Sequence, residues 1–587
     1  MRNRRLILSA VPLTLAAVVL AGCAVDSAST GSSSGSDSST QTAAVVDSDL
    51  TAEAVLAANE DSSVVRDDEW SESDAQDITL SGSTATTSAD GVSVDGSTVT
   101  ITAAGVYRVT GTLAGQIVVD APDDALVVLI LDDAEVDNAS GAAIEVVAAD
   151  DVVISLAEGS TNSVSDAASY DDSADANAAI YSDADLTITG SGSLEVTGNG
   201  NDGITSTDDL AILSGTITVD AADDGLRGKD SLVIEGGTVS VTAAGDGLKS
   251  DQDEDTTRGY IVVEDGTVTI DAGDDGFAAA TDVVITGGTI DVTAGSGADA
   301  EVGTDESPKG VSAGVVIVVE GGTLSVDAAD DALHSDGSIG IGGSTITVAA
   351  GDDGIHAEQA LEIRDGSVTV SQSEEGLEGV DIAISGGDIS VTAADDGVNA
   401  AGNSESTDGG GGGGGMQDTG ETLVISGGTL VVDAGGDGLD SNGSLTISGG
   451  DITVYGPTND GNGALDSNGG ITVTGGTLIA IGSSGMAESP GEDSTQGWVA
   501  ATVSGSAGDE IQITDSSGTV LATITSPKQY GSVVFSSADV SDGAEYNVVV
   551  NGSTASTVTE GTAIAGGMGG GQGGGDQGGG PGGGQQP

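Results

Sequence analysis

LVIEGGTVSVTAAGDGL, residues 232–248, holds one structural unit. It reads as an apolar triplet, a glycine-rich turn, a segment alternating valine with small polar residues, and a turn of small residue, acid and glycine. The same phrase returns as VVITGGTIDVTAGSGA at 283–298 and LTISGGDITVYGPTNDG at 445–461. Its turn glycine recurs at Gly192, Gly215, Gly237, Gly266, Gly288, Gly322, Gly343, Gly366, Gly387, Gly428, Gly450 and Gly476. The base step is 21 to 23 residues, and the longer steps carry inserted loops such as SDQDEDTTRG (250–259) and the glycine-rich stretch 402–420. A fixed short period built from β-type segments predicts a parallel β-solenoid of about 22 residues per coil. Leu232, Ile234, Val239, Val241 and Leu248 are expected to point inward, with Ile261, Val263, Val268, Ile270 and Phe277 repeating them one coil later. One coil cannot bury its own apolar face, so stacking supplies the core.

Composition agrees with this and narrows the partners. The chain has 95 acidic and 12 basic side chains, a formal charge of −83, yet 37% of its residues are hydrophobic. That apolar content sets it apart from an acidic disordered tail. Aromatics make up only 2%, so the core must be aliphatic. Nucleic acid is excluded as a partner by like charge. Cations, or anions bridged by cations, are the natural ligands. A monomer is expected.

Outside the repeats the reading is compositional. Arg2, Arg4 and Arg5, the apolar run Leu6–Leu20 and then Leu20-Ala21-Gly22-Cys23 resemble a bacterial lipoprotein signal, residues 1–22, with Cys23 as the lipidated residue. This predicts an extracellular protein anchored to the cell membrane as a lipoprotein. Cys23 is the only cysteine, so no intrachain disulfide exists. Residues 23–76 read as a flexible Ser/Gly/Asp-rich tether and 77–496 as the solenoid, its N-terminal edge capped by β structure near 77–111. Residues 497–565 read as a C-terminal β cap or small β module, and 566–587 as a disordered glycine-rich tail.

Equivalent positions of a solenoid stack into rows. The residue before the second turn is acidic in coil after coil: Asp202, Asp224, Asp246, Asp275, Asp331, Asp353, Glu375, Asp396 and Asp437. Turn chemistry alone is one explanation, since aspartate before glycine is a common turn pair. Carboxylates stacked about 5 Å apart also repel, by around 1 kcal/mol per neighbour in water and several times more at lower dielectric. Either their pKa values rise or cations lie between them, and calcium suits an all-oxygen set. Asp224, Asp246, Asp275, Asp331, Asp353, Glu375 and Asp396 are the candidate metal ligands. The sequence has no Cys/His cluster for zinc. Three residues after each acid, a second row runs Thr205, Arg227, Lys249, Ala278, His334, His356, Glu378, Asn399, Asp440. Arg227, Lys249, His334 and His356 are its candidate carbohydrate-binding residues. Each could equally serve only to neutralise neighbouring aspartates. His334 and His356 are the only histidines of the chain and are expected on adjacent rungs.

The phrases DDGLRGKD (223–230), GDGLKSDQDED (245–255), DDALHSDG (330–337), DDGIHAEQ (352–359), EEGLEG (374–379) and DDGVNAAG (395–402) together resemble the bacterial secreted carbohydrate-binding β-helix family. The resemblance implies a right-handed parallel β-helix, distantly pectate-lyase-like, that binds calcium and acidic polysaccharide such as polygalacturonate. Among the implied calcium ligands are Asp224, Asp246, Asp275, Asp353 and Asp396. The function expected first is therefore that of a non-enzymatic cell-surface lipoprotein. Two others stand beside it. One is a pectate-lyase-like eliminase using Arg227 or Lys249 as base, and the other a calcium-stiffened structural or adhesive surface protein.

Overall fold

The computed structural model describes residues 50–171, 174–304, 306–402 and 417–564. The leader, Cys23, the tether up to residue 49, most of the 402–420 insertion and the tail lie outside the described residues. What is described is an all-β solenoid of mostly parallel strands.

One coil shows how sequence becomes structure. It contains β1 (Leu226–Gly228), β2 (Ser231–Ile234) and β3 (Thr238–Ala243), and the next contains β4 (Leu248–Ser250), β5 (Tyr260–Val263) and β6 (Thr267–Ala272). Each strand pairs in parallel with its equivalent: Leu226 with Leu248, Leu232 with Ile261, Val239 with Val268. The alternation in β3 sends Val239, Val241 and Ala243 inward and leaves Thr238 and Thr242 exposed. All ten residues expected inside are fully buried and belong to one continuous apolar core.

The two glycine positions have different physical causes. Eleven of the twelve turn glycines, all but Gly192, have positive φ, such as +93° at Gly237, a region that side chains with a Cβ disfavour. The glycine that follows all of these acids but Asp331 is needed for space instead. A Cβ on Gly225 would lie 2.2 Å from Val241 Cγ1 and 2.7 Å from the carbonyl oxygen of Gly247.

Antiparallel pairing enters at both ends. Gln76–Gly82 pairs with Ala85–Thr87, and Val92–Asp95 with Thr98–Ile101. At the other end Tyr530–Ser536 pairs with Thr477–Gly482, and a separate four-stranded antiparallel sheet over 510–559 shares an apolar cluster with these end strands, Ile511 and Val548 joining Ile481 and Phe535.

Residues 50–71, read from composition as tether, are instead a strap on the outside of the middle strand stack. Helix α1 (Ala52–Ala58) is capped by Thr51 Oγ1. Leu50, Ala52 and Val55 pack on Val233, Tyr260, Val262, Val284 and Val318, whose side chains point out of the solenoid. The strap then runs back toward earlier coils. Arg364 donates to the Leu50 carbonyl (2.6 Å), Tyr260 to the Glu60 carbonyl (2.7 Å), and the Ser63 amide donates to Asp209 (2.7 Å). Arg66 pairs with Glu235, and Val65 closes a second cluster over Val106, Val128, Ile130 and Val153. These outward valines explain the burial of β2 on both faces.

Candidate ligand-binding face

The short strands carry the second row on their outward side. Register places Thr205 beside Arg227, Arg227 beside Lys249 and Lys249 beside Ala278. The row continues through Ser312, His334, His356, Glu378, Asn399 and Asp440. The two histidines are adjacent rungs, with ring centroids 5.0 Å apart in a T-shaped contact. The rung Ser312 escaped the sequence reading, as did Lys309, which occupies the acid position of that coil. Lys309-Gly310-Val311-Ser312 matches Asp224-Gly225-Leu226-Arg227 in phase, but the loop before it hides the match. Arg227 and Lys249 are thus separated from the histidines by two rungs, so the four residues form two clusters on one face and not one site.

The acids have a structural role that spacing alone does not show. One carboxylate oxygen accepts the backbone N–H of the next rung's equivalent residue. Asp246 N–H donates to Asp224 Oδ1 (2.9 Å), Asp275 N–H to Asp246 Oδ1 (3.1 Å), Lys309 N–H to Asp275 Oδ1 (2.8 Å), Asp353 N–H to Asp331 Oδ1 (3.0 Å) and Asp437 N–H to Asp396 Oδ1 (2.6 Å). A buried donor is satisfied at each step, which would otherwise cost about 1–3 kcal/mol.

The other oxygen meets the second row. Lys249 Nζ lies 2.9 Å from Asp224 Oδ2 and 2.8 Å from Asp246 Oδ2. His334 Nδ1 is 2.8 Å from Asp331 Oδ2, and Asn399 donates to Glu375 Oε2 at 2.7 Å. Arg227 reaches away from the acids to grip Asp251 in the next coil's loop, with Nη2 to Oδ2 at 2.8 Å. Burial opposes the charge on Lys249, but its two aspartates prevail and hold it above the usual lysine range. Burial likewise opposes charge on His334, yet hydrogen bonds with Asp331 and Asp336 raise it to about 9. Asp331 is held well below the carboxylate range: burial would raise it, and the two histidines outweigh that. Asp353 moves the opposite way, raised by burial and then by Glu378 and Asp331.

Toward the C-terminal end the second row offers no cation. Burial, followed by repulsion from neighbouring acids, raises Asp396 and Asp437 to about 7 and Asp440 to about 8. Asn399, between Glu378 and Asp440 in the row, has its Oδ1 buried with no hydrogen-bond partner among the described residues. Near the middle, a cleft of about 670 Å³ opens among Asp275, Glu306, Lys309, Ser312, His334 and Asp336. Trp498 is buried and Trp70 partly so in apolar clusters, so neither offers a free stacking platform of the kind many sugar sites use.

Stacking also brings histidines and acids together into groups that could hold a metal ion. Asp331, His334 and His356 place one potential ligand atom each within 4.8 Å of one another, as do Asp353, His356 and Glu378. A linear motif search fails here because the histidines meet through coil stacking rather than along one strand.

A family model described as carbohydrate-binding domain-containing protein matches residues 95–354 and 353–566. The chain belongs to that family. The two matches together cover nearly all of the repeat region and the C-terminal β structure. A carbohydrate-binding domain-containing protein of Acetivibrio thermocellus is 35% identical over 121 residues, 20% of this chain and 42% of the relative. The match therefore spans less than half of the relative's length. A solved structure titled as the polysaccharide lyase-like protein from C. thermocellum, gadolinium derivative, is 30% identical and covers 46% of this chain and 96% of that one. Its TM-score of 0.37 carries no argument about this fold.

Proposed function

We propose that this chain binds an acidic polysaccharide, polygalacturonate-like in its carboxylate spacing, through calcium held on the acid-lined face. Family membership supports carbohydrate as the ligand. The observation that carries the calcium reading is the buried Asn399 Oδ1, without a hydrogen-bond partner among the described residues, on a stretch of the face where Asp396, Asp437 and Asp440 repel one another. An amide oxygen and carboxylates are the kind of donors calcium takes, six to eight oxygens in flexible geometry. Sugar carboxylates would complete the coordination. Arg227 and Lys249 are already paired with protein acids, so calcium bridging is the favoured mode over a basic patch. The remaining ladder acids, Asp224, Asp246, Asp275, Asp331 and Asp353, bind backbone and neighbouring side chains first in this reading. The right-handed winding, the 22-residue coil, the β caps and the lipid anchor at Cys23 belong to the same proposal, as does an extracellular location.

A lyase is the second reading. Its proton-abstracting base must be unprotonated at working pH. Lys249, held protonated between two aspartates, does not suit that role.

Co-sedimentation with polygalacturonate tests the proposal, with calcium and with chelator, while ultraviolet absorbance is followed for unsaturated uronide. Calcium-dependent pelleting without absorbance is expected, weakened by Asp437→Asn with Asp440→Asn and little changed by Lys249→Met. Rising absorbance would make the protein a lyase. Pelleting that ignores chelator would remove calcium from the account.

A further inference from the structure

We propose that Asp331, His334 and His356 bind a divalent transition metal of the zinc class, at a site distinct from the calcium-binding acids and independent of polysaccharide. Asp331 Oδ2 is 2.8 Å from His334 Nδ1 and 3.8 Å from His356 Nδ1, the latter nitrogen also lying 3.3 Å from Asp353 Oδ2. That carboxylate is itself fixed, because its Oδ1 accepts the Asp353 N–H at 3.0 Å and Asp331 is only 5% exposed.

The far side of the His334 ring fits the same assignment: its Nε2 is 3.3 Å from Asp336 Oδ1, while His356 Nε2 has Glu378 Oε2 nearby at 3.9 Å, outside hydrogen-bond distance. Metal-bound histidines characteristically direct their other nitrogen to a carboxylate, which fixes tautomer and ring orientation. Two imidazoles and one carboxylate select borderline metals over calcium, which prefers oxygen alone. Ligand atoms about 2.0–2.2 Å from a tetrahedral ion sit roughly 3.3–3.6 Å apart; the two carboxylate–imidazole separations of 2.8 and 3.8 Å bracket that range, and all three ligand atoms lie within 4.8 Å of one another. Three protein ligands leave the fourth position open. His334 borders the cleft shared with Lys309 and Ser312, so that position can face a water or a ligand oxygen.

The test is calorimetric titration of the full chain with Zn²⁺ in calcium-containing buffer. One saturable site is expected. Asp336→Asn should weaken it about 10-fold, as loss of an orienting carboxylate does, while His334→Gln with His356→Gln should abolish it. Because these are the only histidines, ¹⁵N-histidine labelling of the wild type gives a second readout that needs no variant. Zn²⁺ should move the Nδ1 resonances of both rings far more than the Nε2 resonances. Unchanged ring nitrogens, or full zinc affinity in the folded double variant, would overturn the proposal. Neither result depends on whether polygalacturonate binds.

Discussion

Lys249→Met removes the only cation between Asp224 and Asp246, and the structure sets the scale of the damage. Nζ sits 2.9 and 2.8 Å from the two Oδ2 atoms, and the aspartates are 6% and 7% exposed. At an effective dielectric near 20, a pair of charges 4 Å apart interacts by about 4 kcal/mol. Removing one partner of a buried pair typically costs about 3–5 kcal/mol, because the other charge stays behind. Here 28% of the lysine side chain remains exposed, so solvent screening brings the expected loss to roughly 2–3 kcal/mol. Methionine keeps the packing of the aliphatic stem, so the loss is electrostatic. Equilibrium denaturation at pH 7.5 with chelator should show it as a lowered midpoint. Hydrogen exchange should quicken at the Asp246 amide, which bonds Asp224. Adding Asp224→Asn and Asp246→Asn should recover most of the stability. If Lys249 acted only as a glycan contact, Lys249→Met would lose binding with stability within about 0.5 kcal/mol of wild type, as ordinary surface changes do. That outcome, or failure of the triple variant to recover, would refute the assignment.

Three more predictions concern other parts of the molecule. Val55→Asp puts a charge into the strap's apolar contact, where Val55 is 1% exposed; a loss of about 2–3 kcal/mol and new protease cleavage within residues 50–70 are expected, and unchanged cleavage would mean the strap is not held by that contact. Gly340→Val should free the start of the strap while sparing the core, since a Cβ there would lie 2.3 Å from the Leu50 carbonyl oxygen; limited proteolysis with unchanged strand circular dichroism would report it. The third is a pH effect. Asp396, Asp437 and Asp440 titrate near 7, 7 and 8 in the fold and near 3.9 in the unfolded chain. The folded state therefore binds more protons across this window, so with chelator stability falls as pH rises from about 4 to 8. Calcium should flatten that fall, and a denaturation midpoint level from pH 5 to 8 under chelator would contradict the burial of these acids.

The pairing of rungs was legible in the sequence because parallel stacking turns a repeat period directly into register. The adjacency of His334 and His356, the runs Arg227–Lys249–Ala278 and His356–Glu378–Asn399–Asp440 and the inward residues of these coils follow from phase alone. An insertion breaks the phase, and there the reading failed: Lys309 and Ser312 stayed hidden behind the loop that precedes them. The strap was misread because Ser- and Asp-rich composition says little about where Leu50, Val55 and Val65 dock. Its trace in the sequence is the apolar triplet itself. LVI in residues 232–234 leaves no polar residue for solvent, which marks a strand covered on both faces.

By itself the sequence determined the strand segments, the positive φ of eleven of the twelve turn glycines and the row members of the uninterrupted coils, since all of these are local or repeat with the coil. Only the tertiary structure decided what each row does. Whether an aspartate oxygen meets a backbone amide, a lysine, an imidazole or nothing depends on distances of about 3 Å between coils. Those distances made Lys249 a clamp between two acids, left Asn399 Oδ1 without a partner among the described residues, and set two histidines around Asp331.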